Sequence, residues 1–238
     1  MSNLQNRVAV IAGGTGALGR AIALAMLRAG ATVVVTYQHQ AEFDKLTDDA
    51  GDLSDRLTGE SVDVTDSDAT ANLALDLHAK FDHVDILVNA VGGYAGGKNV
   101  WETDPKTYAT QMALNLQAGF ALSHGFLPLM VKQNRGWVVN VASRAGLVAS
   151  PGSGVYAASK AGALALFRAL AEEVKPYAIN VNSIVPSIFD TAANRAAMPS
   201  ADFASWPKPE QIASVVLFLC SEEGSIVHGA EVPVYGRT

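Results

Sequence analysis

One stretch near the start of the chain restricts its possible folds more than any other. Residues 7–12 (RVAVIA) form a short apolar strand pattern, residues 13–19 (GGTGALG) a glycine-rich turn, and residues 20–28 a helix pattern. Glycines at such a turn let the main chain approach a pyrophosphate, and the start of the helix supplies amide donors. A tight turn alone would explain the glycines, but the flanking strand and helix favour a dinucleotide-binding unit.

Strand and helix patterns alternate along the rest of the chain. The predicted strands are residues 7–12, 32–36, 61–64, 84–89, 137–141, 180–185 and 231–235. The predicted helices include residues 20–28, 42–50, 66–80, 156–175 and 209–220, and Asp104 with Pro105 marks the start of another. This alternation predicts an α/β fold, a Rossmann-type doubly wound parallel sheet of about seven strands flanked by helices. Because no linker or repeat interrupts it, residues 1–238 are expected to form a single domain.

Composition excludes several classes of function. The 17 basic and 23 acidic residues give a net charge of -6 without a basic run, which argues against nucleic acid as a partner. The single cysteine, Cys220, is expected in the core and permits no internal disulfide, which suits a reducing compartment. The polar start, residues 1–7, shows no signal peptide, and no apolar stretch is long enough to span a membrane. We expect a cytoplasmic protein without a metal site.

The central prediction is the pair Tyr156 and Lys160 at the start of the helix 156–175. Residues four apart lie on one helix face, so both side chains point the same way. An ammonium group beside a phenol lowers the phenol pKa, giving a group that exchanges a proton with a carbonyl or hydroxyl oxygen. Ser143, at the end of the strand 137–141, can aim its hydroxyl at the same oxygen. The alternative is an ordinary surface tyrosine and lysine at helical spacing.

Three other features have two interpretations each. Asn115, inside an apolar helical stretch, is either a satisfied core amide or a bend that holds a water beside Lys160. Asp63, at the end of the predicted third strand, either meets an adenine amino group or is a turn or capping acid. The second strand ends in Thr36-Tyr37-Gln38-His39, with neither an acid for a ribose 2′-hydroxyl nor an arginine for a 2′-phosphate. The missing acid favours NADP(H) and leaves NAD(H) open.

Two loops and one helix are candidates for contacts with a substrate and with a second subunit. Residues 92–97 (GGYAGG) follow the fourth strand, and residues 190–207 are either a lid over a substrate or a loop docked on the body. The helix 156–175 is rich in Ala and Leu nearly all round, which predicts a subunit interface and a homo-oligomer, a dimer or tetramer. The candidate substrate contacts are the large apolar residues Tyr94, Trp101, Met198, Phe203 and Trp206.

With the glycine turn, Asn89-Ala-Val-Gly92, Asn115, Ser143 and Tyr156-Ala-Ala-Ser-Lys160, the chain resembles the short-chain dehydrogenase/reductase family over nearly its whole length. The resemblance implies hydride transfer between NAD(P)(H) and a carbonyl or hydroxyl group of a small molecule. It implies that Tyr156 is the general acid/base and that Lys160 lowers its pKa and binds the nicotinamide ribose. It also implies that Ser143 steadies the substrate oxygen and that Asn115 holds a relay water.

The same resemblance implies a set of cofactor contacts distributed over the strand ends. These are Gly13, Thr15, Gly16, Leu18 and Gly19 at the pyrophosphate, Asp63 and Val64 at the adenine, and Asn89, Ala90 and Gly92 at the adenosine-side ribose region. Pro186, Ile188 and Thr191 are expected at the nicotinamide end, and Thr36, Tyr37 and Gln38 at the end of the second strand.

The sequence departs from the family pattern in two places. The usual turn has three residues between its first two glycines, so Ala17 stands where a glycine is expected. The Pro-Gly usual after the sixth strand is Pro186-Ser187 here.

Residues 92–97 and 190–206 also look like the corresponding loops of dihydropteridine reductases. Those enzymes reduce quinonoid dihydropterin with NADH through the tyrosine and lysine, without an equivalent of Ser143. The sequence therefore favours a carbonyl or hydroxyl substrate, with dihydropterin reduction as the alternative. A non-catalytic dinucleotide sensor is a second alternative, which the presence of Tyr156, Lys160, Ser143 and Asn115 disfavours.

Overall fold

A computed structural model describes residues 3–238; the first two residues of the predicted polar start lie outside that range. Seven strands form one parallel sheet in the order β3-β2-β1-β4-β5-β6-β7. The strands are β1 (Val8–Ala12), β2 (Thr32–Tyr37), β3 (Leu57–Ser61), β4 (Ile86–Asn89), β5 (Gly136–Val141), β6 (Ile179–Pro186) and β7 (Glu231–Val234). The doubly wound parallel sheet predicted from the alternating pattern is confirmed.

Helices cover both faces of the sheet. They are α1 (Ala17–Arg28), α2 (Gln40–Ala50), α3 (Ser67–Phe81), α4 (Pro105–Met112), α5 (Ala118–Gln133), α6 (Gly154–Glu173), α7 (Ala192–Ala197) and α8 (Pro209–Leu219). Side chains alternate across each strand, so Ala9 and Ile11 of β1 face a core shared with α1 and α8. Val8 and Val10 face the opposite core, which is shared with α3 and α5. Both faces of the strand are therefore buried, as the apolar run predicts.

The third strand lies earlier than its sequence pattern predicts. Residues 61–64 alternate polar and apolar, but β3 is Leu57–Ser61, paired with β2 from Val33 to Tyr37. Gly59 explains the difference, because a Cβ at this position would lie 2.6 Å from the ring of Phe43 on α2. A glycine in a strand allows such close packing, although it weakens the sequence signal for a strand.

Two other predictions are refined at the carboxyl side of the chain. Residues 190–207, described from the sequence as a lid or a docked loop, contain regular structure: α7 and a short 3₁₀ helix, Phe203–Ser205. Cys220 is buried at the end of α8, as predicted, and burial raises the pKa of its thiol. Within residues 3–238, none of the helices combines the length and apolar character needed to cross a bilayer.

Asp85 anchors three strands at the amino edge of the sheet. Its carboxylate, only 2% exposed, accepts a hydrogen bond of 2.8 Å from the Val8 amide. It also lies 3.2 Å from an Arg7 nitrogen and 2.9 Å from an Arg135 nitrogen, while its carbonyl accepts from the Trp137 amide at 2.8 Å. Burial raises the pKa of Asp85, and the hydrogen bond and neighbouring cations oppose that shift. One buried carboxylate thus joins the starts of β1, β4 and β5.

We expect Asp85→Ala to lower the free energy of unfolding by roughly 3 kcal/mol, because a buried amide and two guanidinium groups lose their acceptor. The matched control is Asp76→Ala, at an exposed position of α3, which we expect to change it by less than about 0.5 kcal/mol. Urea denaturation of both variants measures the difference. Equal stabilities would contradict the anchoring role.

Candidate active site

The glycine-rich turn is folded tightly against the start of α1. Gly13 has a φ of +74°, and its amide donates to the Thr36 hydroxyl of β2 at 3.0 Å. A Cβ at Gly19 would lie 2.1 Å from the Gly13 carbonyl oxygen, so only glycine permits this approach of helix to turn. The Gly16 amide donates to the same carbonyl at 3.1 Å. Two of the predicted cofactor glycines therefore fix the path of the turn itself.

The amino end of α1 has the character of an anion-binding site. Gly16 occupies the N-cap position, and among the described residues no side chain caps this 12-residue helix. The first amides of α1 therefore have no side-chain cap, and neither Gly13 nor Gly16 has a Cβ that could cover them. The helix dipole favours negative charge at this end of the helix. Leu18 is buried in the core, so it can offer a ligand only its main chain. A pyrophosphate fits this donor set.

Near this turn lies an acid that sequence reasoning missed. The Thr15 hydroxyl donates to a carboxylate oxygen of Glu42 on α2, at 3.2 Å. The expected place for a cofactor-binding acid is the end of β2, and Glu42 lies several residues further along the chain, on α2. Tyr37, at the end of β2, stacks on Phe43 with centroids 5.1 Å apart and donates to Gln40 at 2.6 Å. Gln38 and His39 are exposed at the same strand end.

Asp63 is a turn acid in the structure. Its carboxylate accepts from the Thr65 amide at 2.9 Å and from the Thr65 hydroxyl at 2.7 Å, and these bonds lower the Asp63 pKa. Asp63 is exposed and follows β3, while its neighbour Val64 is buried in the core. The capping acid of α3 is Asp66 instead. An adenine contact through Asp63 stays a prediction.

Ser143, Tyr156 and Lys160 meet at the carboxyl end of β5. Ser143 follows the strand and caps a 3₁₀ helix (Arg144–Gly146), and its hydroxyl lies close enough to the Tyr156 hydroxyl to oppose the rise in the pKa of that phenol. Tyr156 and Lys160 stand on the first turns of α6, and Lys160 is only 4% exposed. The Lys160 amine donates to the Val141 carbonyl at 2.9 Å. The predicted serine and tyrosine pair is therefore present, with the lysine beneath the end of the strand.

The pKa of Tyr156 departs from the sequence-based expectation, which is wrong on this point. Burial raises the Tyr156 pKa, and the hydrogen bond with Ser143 opposes the shift only in part. The neighbouring Tyr94 adds to the rise, whereas Lys160 makes no resolved contribution to it, and burial lowers the pKa of Lys160 itself to about 8. Loss of water disfavours the charged form of both groups, so a phenol and an amine buried together tend toward their neutral forms.

Asn115 lies in a π-helical turn, Ala113–Gln117, between α4 and α5. Its amide group exchanges hydrogen bonds with the Gly93 main chain, accepting at 3.1 Å and donating at 3.0 Å, and it donates to Gln111 at 3.2 Å. A Cβ at Gly92 would lie 2.8 Å from the Asn115 oxygen and 3.0 Å from the Lys160 amine. Asn115 is therefore a satisfied buried amide in a π-helical turn, next to the same glycine as Lys160, and a water held beside Lys160 stays a prediction.

A row of buried polar side chains crosses the strand ends. Asn89 of β4 donates to Asn140 of β5 at 3.0 Å, and Asn140 donates to Ser183 of β6 at 3.5 Å. The Ala90 amide donates to the Ala12 carbonyl at 3.0 Å, which holds the loop after β4 against β1. Asn140 and Gln111 were not identified from the sequence. An asparagine within an apolar strand, and a glutamine four residues before Asn115, are the signals that could have found them.

The predicted nicotinamide-end residues lie at and just before the start of residues 190–207, which we call the lid after one of the two roles predicted for them. Pro186 ends β6, Ile188 is partly buried, and the Thr191 hydroxyl accepts from the Asn194 amide at 3.1 Å, capping α7. Asp190 forms a two-point ion pair with Arg195, with contacts of 2.5 and 2.7 Å.

Aromatic packing completes the lid. The Arg195 guanidinium lies over the Phe203 ring at 4.9 Å, and Phe203 packs edge-on against Trp206 at 5.0 Å. Trp206 is 7% exposed, so it supports the lid from within, whereas Met198 is 40% exposed.

The glycine-rich loop after β4 places a second phenol at the site. Tyr94 packs edge-on against Tyr156, with ring centroids 5.0 Å apart and planes at 82°. Tyr94 is 68% exposed, and its hydroxyl lies so close to Gly96 that a Cβ there would be 2.1 Å from it. The Gly97 amide donates to the Gly152 carbonyl at 2.9 Å, which ties this loop to the residues before α6. Trp101, on a 3₁₀ helix beyond it, is 82% exposed.

Comparison with known proteins gives consistent matches. Residues 7–201 match the family model for short chain dehydrogenase. The chain is 30% identical over 241 residues to a 3-oxoacyl-[acyl-carrier-protein] reductase of Thermotoga maritima, covering 98% of each protein. It is also 30% identical to dehydrogenase/reductase SDR family member 4 of rat, covering 99% of this chain and 88% of that protein. A crystal structure of a short-chain dehydrogenase/reductase from Burkholderia xenovorans superposes with a TM-score of 0.92 at 32% identity, covering 99% and 97% of the two chains.

The buried amine of Lys160 predicts a pH dependence of stability. With a folded-state pKa of about 8, against about 10.4 for an unfolded lysine, the unfolded chain binds one proton more between these values. The free energy of unfolding should therefore rise from pH 8 to pH 10, relative to Lys160→Met, by roughly 2 kcal/mol. Urea titrations at both pH values test this, with Lys132→Met at an exposed position of α5 as the control. A constant difference between wild type and Lys160→Met would contradict it.

Proposed function

The chain belongs to the short-chain dehydrogenase family, and we propose that Tyr156 is the proton-exchanging residue of this NAD(P)-dependent oxidoreductase. The substrate in this proposal is a small molecule with a carbonyl group, or the corresponding alcohol. The observation that carries the proposal is the grouping of Ser143, Tyr156 and the buried Lys160 amine at the carboxyl end of β5, where that amine donates to the Val141 carbonyl.

The cofactor, when bound, supplies or accepts the hydride at its nicotinamide ring. We assign its pyrophosphate to the uncapped amino end of α1 and the turn formed by Gly13, Thr15 and Gly16. The Lys160 amine donates to the Val141 carbonyl with only one of its three N–H groups, which supports a place for a ribose hydroxyl next to it. The remaining predicted contacts surround these two places: Gly19, Asn89, Ala90, Val64, Pro186, Ile188 and Thr191.

Tyr156 then holds or accepts a proton at the substrate oxygen. A buried phenol with a raised pKa keeps its proton at neutral pH, which suits donation to a carbonyl oxygen as negative charge develops there. Ser143 adjoins that phenol and is placed to share the same oxygen. Asn115 holds Gly93 and so fixes the loop that carries Tyr94 over Tyr156.

We extend the proposal to NADP(H) as the preferred cofactor. The exposed end of β2, at Gln38 and His39, has no carboxylate that would repel a 2′-phosphate. Two acids of α2 are held by hydrogen bonds elsewhere, Glu42 by the Thr15 hydroxyl of the turn and Asp44 by the Gln40 side chain. The ratio of kcat/KM for NADPH and NADH measures the preference, and a ratio below one would reverse the assignment.

The substrate class has two candidates. The Thermotoga maritima relative is named for a 3-oxoacyl substrate, which carries a ketone. The exposed Tyr94 ring beside Tyr156 favours a planar substrate, which is why quinonoid dihydropterin remains the second candidate. A panel of ketones, quinones and quinonoid dihydropterin, with oxidation of each reduced cofactor as the readout, distinguishes them. Cofactor binding without turnover on any substrate would favour a dinucleotide sensor instead.

We expect Tyr156→Phe to lower kcat/KM by roughly 10² to 10⁴, since the positioned proton is lost while the ring remains. The dissociation constant of the cofactor should stay within about threefold, measured by titration of cofactor fluorescence. The matched control is Tyr177→Phe, at a partly exposed tyrosine after α6, with unchanged kinetics. Normal activity of Tyr156→Phe would overturn the assignment.

We also propose that copies of this chain associate through α6. Ala165 and Ala169 are exposed one turn apart on this helix, and Tyr108, on the adjacent α4, is 51% exposed. Small side chains let another helix approach closely, and an exposed aromatic ring gains from burial.

We expect a dimer or tetramer by light scattering, and Ala169→Arg should reduce its mass because a bulky charge would enter the contact. Ala79→Arg, at an exposed alanine of α3, is the control and should leave the mass unchanged. A monomeric wild-type protein would contradict this proposal.

A further inference from the structure

Ser187 is the residue that replaces the usual glycine after β6. Its hydroxyl hydrogen-bonds with the Thr238 hydroxyl and lies 3.3 Å from the Tyr235 carbonyl oxygen and 3.4 Å from the Ile188 carbonyl oxygen. The Thr238 hydroxyl in turn donates to the Tyr235 carbonyl at 2.7 Å. Residues 235–238, which we call the strap, are thus fastened to the segment that leads from β6 into the lid.

Arg144 fastens the strap from a second side. Arg144 is the neighbour of Ser143 and donates to the main-chain oxygen of Thr238 at 3.2 Å. Its guanidinium also lies 5.1 Å from the centre of the Tyr235 ring, a cation–π contact. The loop that presents Ser143 to Tyr156 is therefore joined to the strap by a charged side chain.

The ring of Tyr235 packs where three site elements converge. It lies against the buried cluster of Ala142, Leu164 and Val185. These residues belong to the end of β5, to α6 and to β6. Through the Tyr235 ring, the strap therefore packs against the residue before Ser143, against the helix that carries Tyr156, and against the strand that ends at Pro186.

The strap also contacts the far end of the lid. Gly236 has a φ of +63°, and a Cβ there would lie 2.9 Å from the Pro207 ring. The Arg237 amide donates to the Ser205 carbonyl at 3.4 Å. Pro207 in turn accepts from the Asp190 amide at 2.9 Å, so both ends of residues 190–207 meet close to the strap.

We propose that Ser187 and Arg144 are positioning residues that act through the strap to hold the lid in place for the substrate. This inference rests on the proposed function. It adds to that function a role for residues 190–207 in substrate binding. A lid held in advance loses less conformational freedom when the substrate binds, which strengthens binding without changing the chemical step. Loosening the strap should therefore raise the KM for the substrate and leave kcat and cofactor affinity nearly constant.

The experiment combines hydrogen exchange with steady-state kinetics on Ser187→Ala, Arg144→Gln and Thr238→Val. Exchange of residues 190–207 in the free protein should be about fivefold faster in each variant, because each removes one contact of the strap. The substrate KM should rise about fivefold, with kcat and the cofactor dissociation constant within twofold of wild type. Ser214→Ala, which removes a hydroxyl that donates to Glu210 on α8, is the matched control and should change neither.

A double variant, Ser187→Ala with Thr238→Val, tests whether the two hydroxyls act together. Its effect on exchange should exceed that of either single variant but fall short of the two effects combined, because the shared Ser187–Thr238 bond is lost only once. Unchanged exchange in 190–207 would overturn the proposal, and so would faster exchange with unchanged KM. If the wild type turns over none of the test substrates, the proposed function fails by itself, while the exchange result still decides whether the strap holds the lid.

Discussion

The site depends on one buried amine. Lys160 reaches under the end of β5 to bind the Val141 carbonyl, and it does so within the space that the missing side chain of Gly92 leaves. That single contact fixes the start of α6 relative to β5, and so the place of Tyr156 relative to Ser143. Because Asn115 borders the same glycine, the loop after β4 and the π-helical turn are held to the same point.

Burial of this amine has an electrostatic consequence for the reaction. Desolvation acts in opposite directions on the two groups, raising the pKa of Tyr156 and lowering that of Lys160, so each is driven toward its neutral form. With a pKa of about 8 the amine is still largely protonated at pH 7, and the phenol keeps its proton. The hydrogen bond from Ser143 favours the phenolate and so limits how far burial can raise the tyrosine pKa. Proton exchange at this site is therefore governed by access of water as much as by charge.

Local patterns in the sequence predicted the fold and the central residues because their causes are local. Strand alternation, the glycine turn and the helical spacing of Tyr156 and Lys160 depend on neighbours in the chain. Features that depend on distant partners were missed: β3 was misplaced because Gly59 packs on Phe43, and Glu42 was overlooked because it meets Thr15 across the fold. The pKa of Tyr156 was predicted in the wrong direction, since the degree of burial cannot be read from spacing.

The amino edge of the sheet carries a stabilising group of ion pairs, and the carboxyl edge carries the candidate active site. At the amino edge, Asp85 uses a buried charge to join strands, with guanidinium groups that satisfy it. At the carboxyl edge, the polar groups between strands, Asn89 and Asn140, are neutral and bonded to each other. In the proposed function, a charged anchor at that edge would compete with the cofactor for Lys160 and for the helix amides. Placing the charge at the opposite edge removes that competition, because the sheet holds the two sites apart.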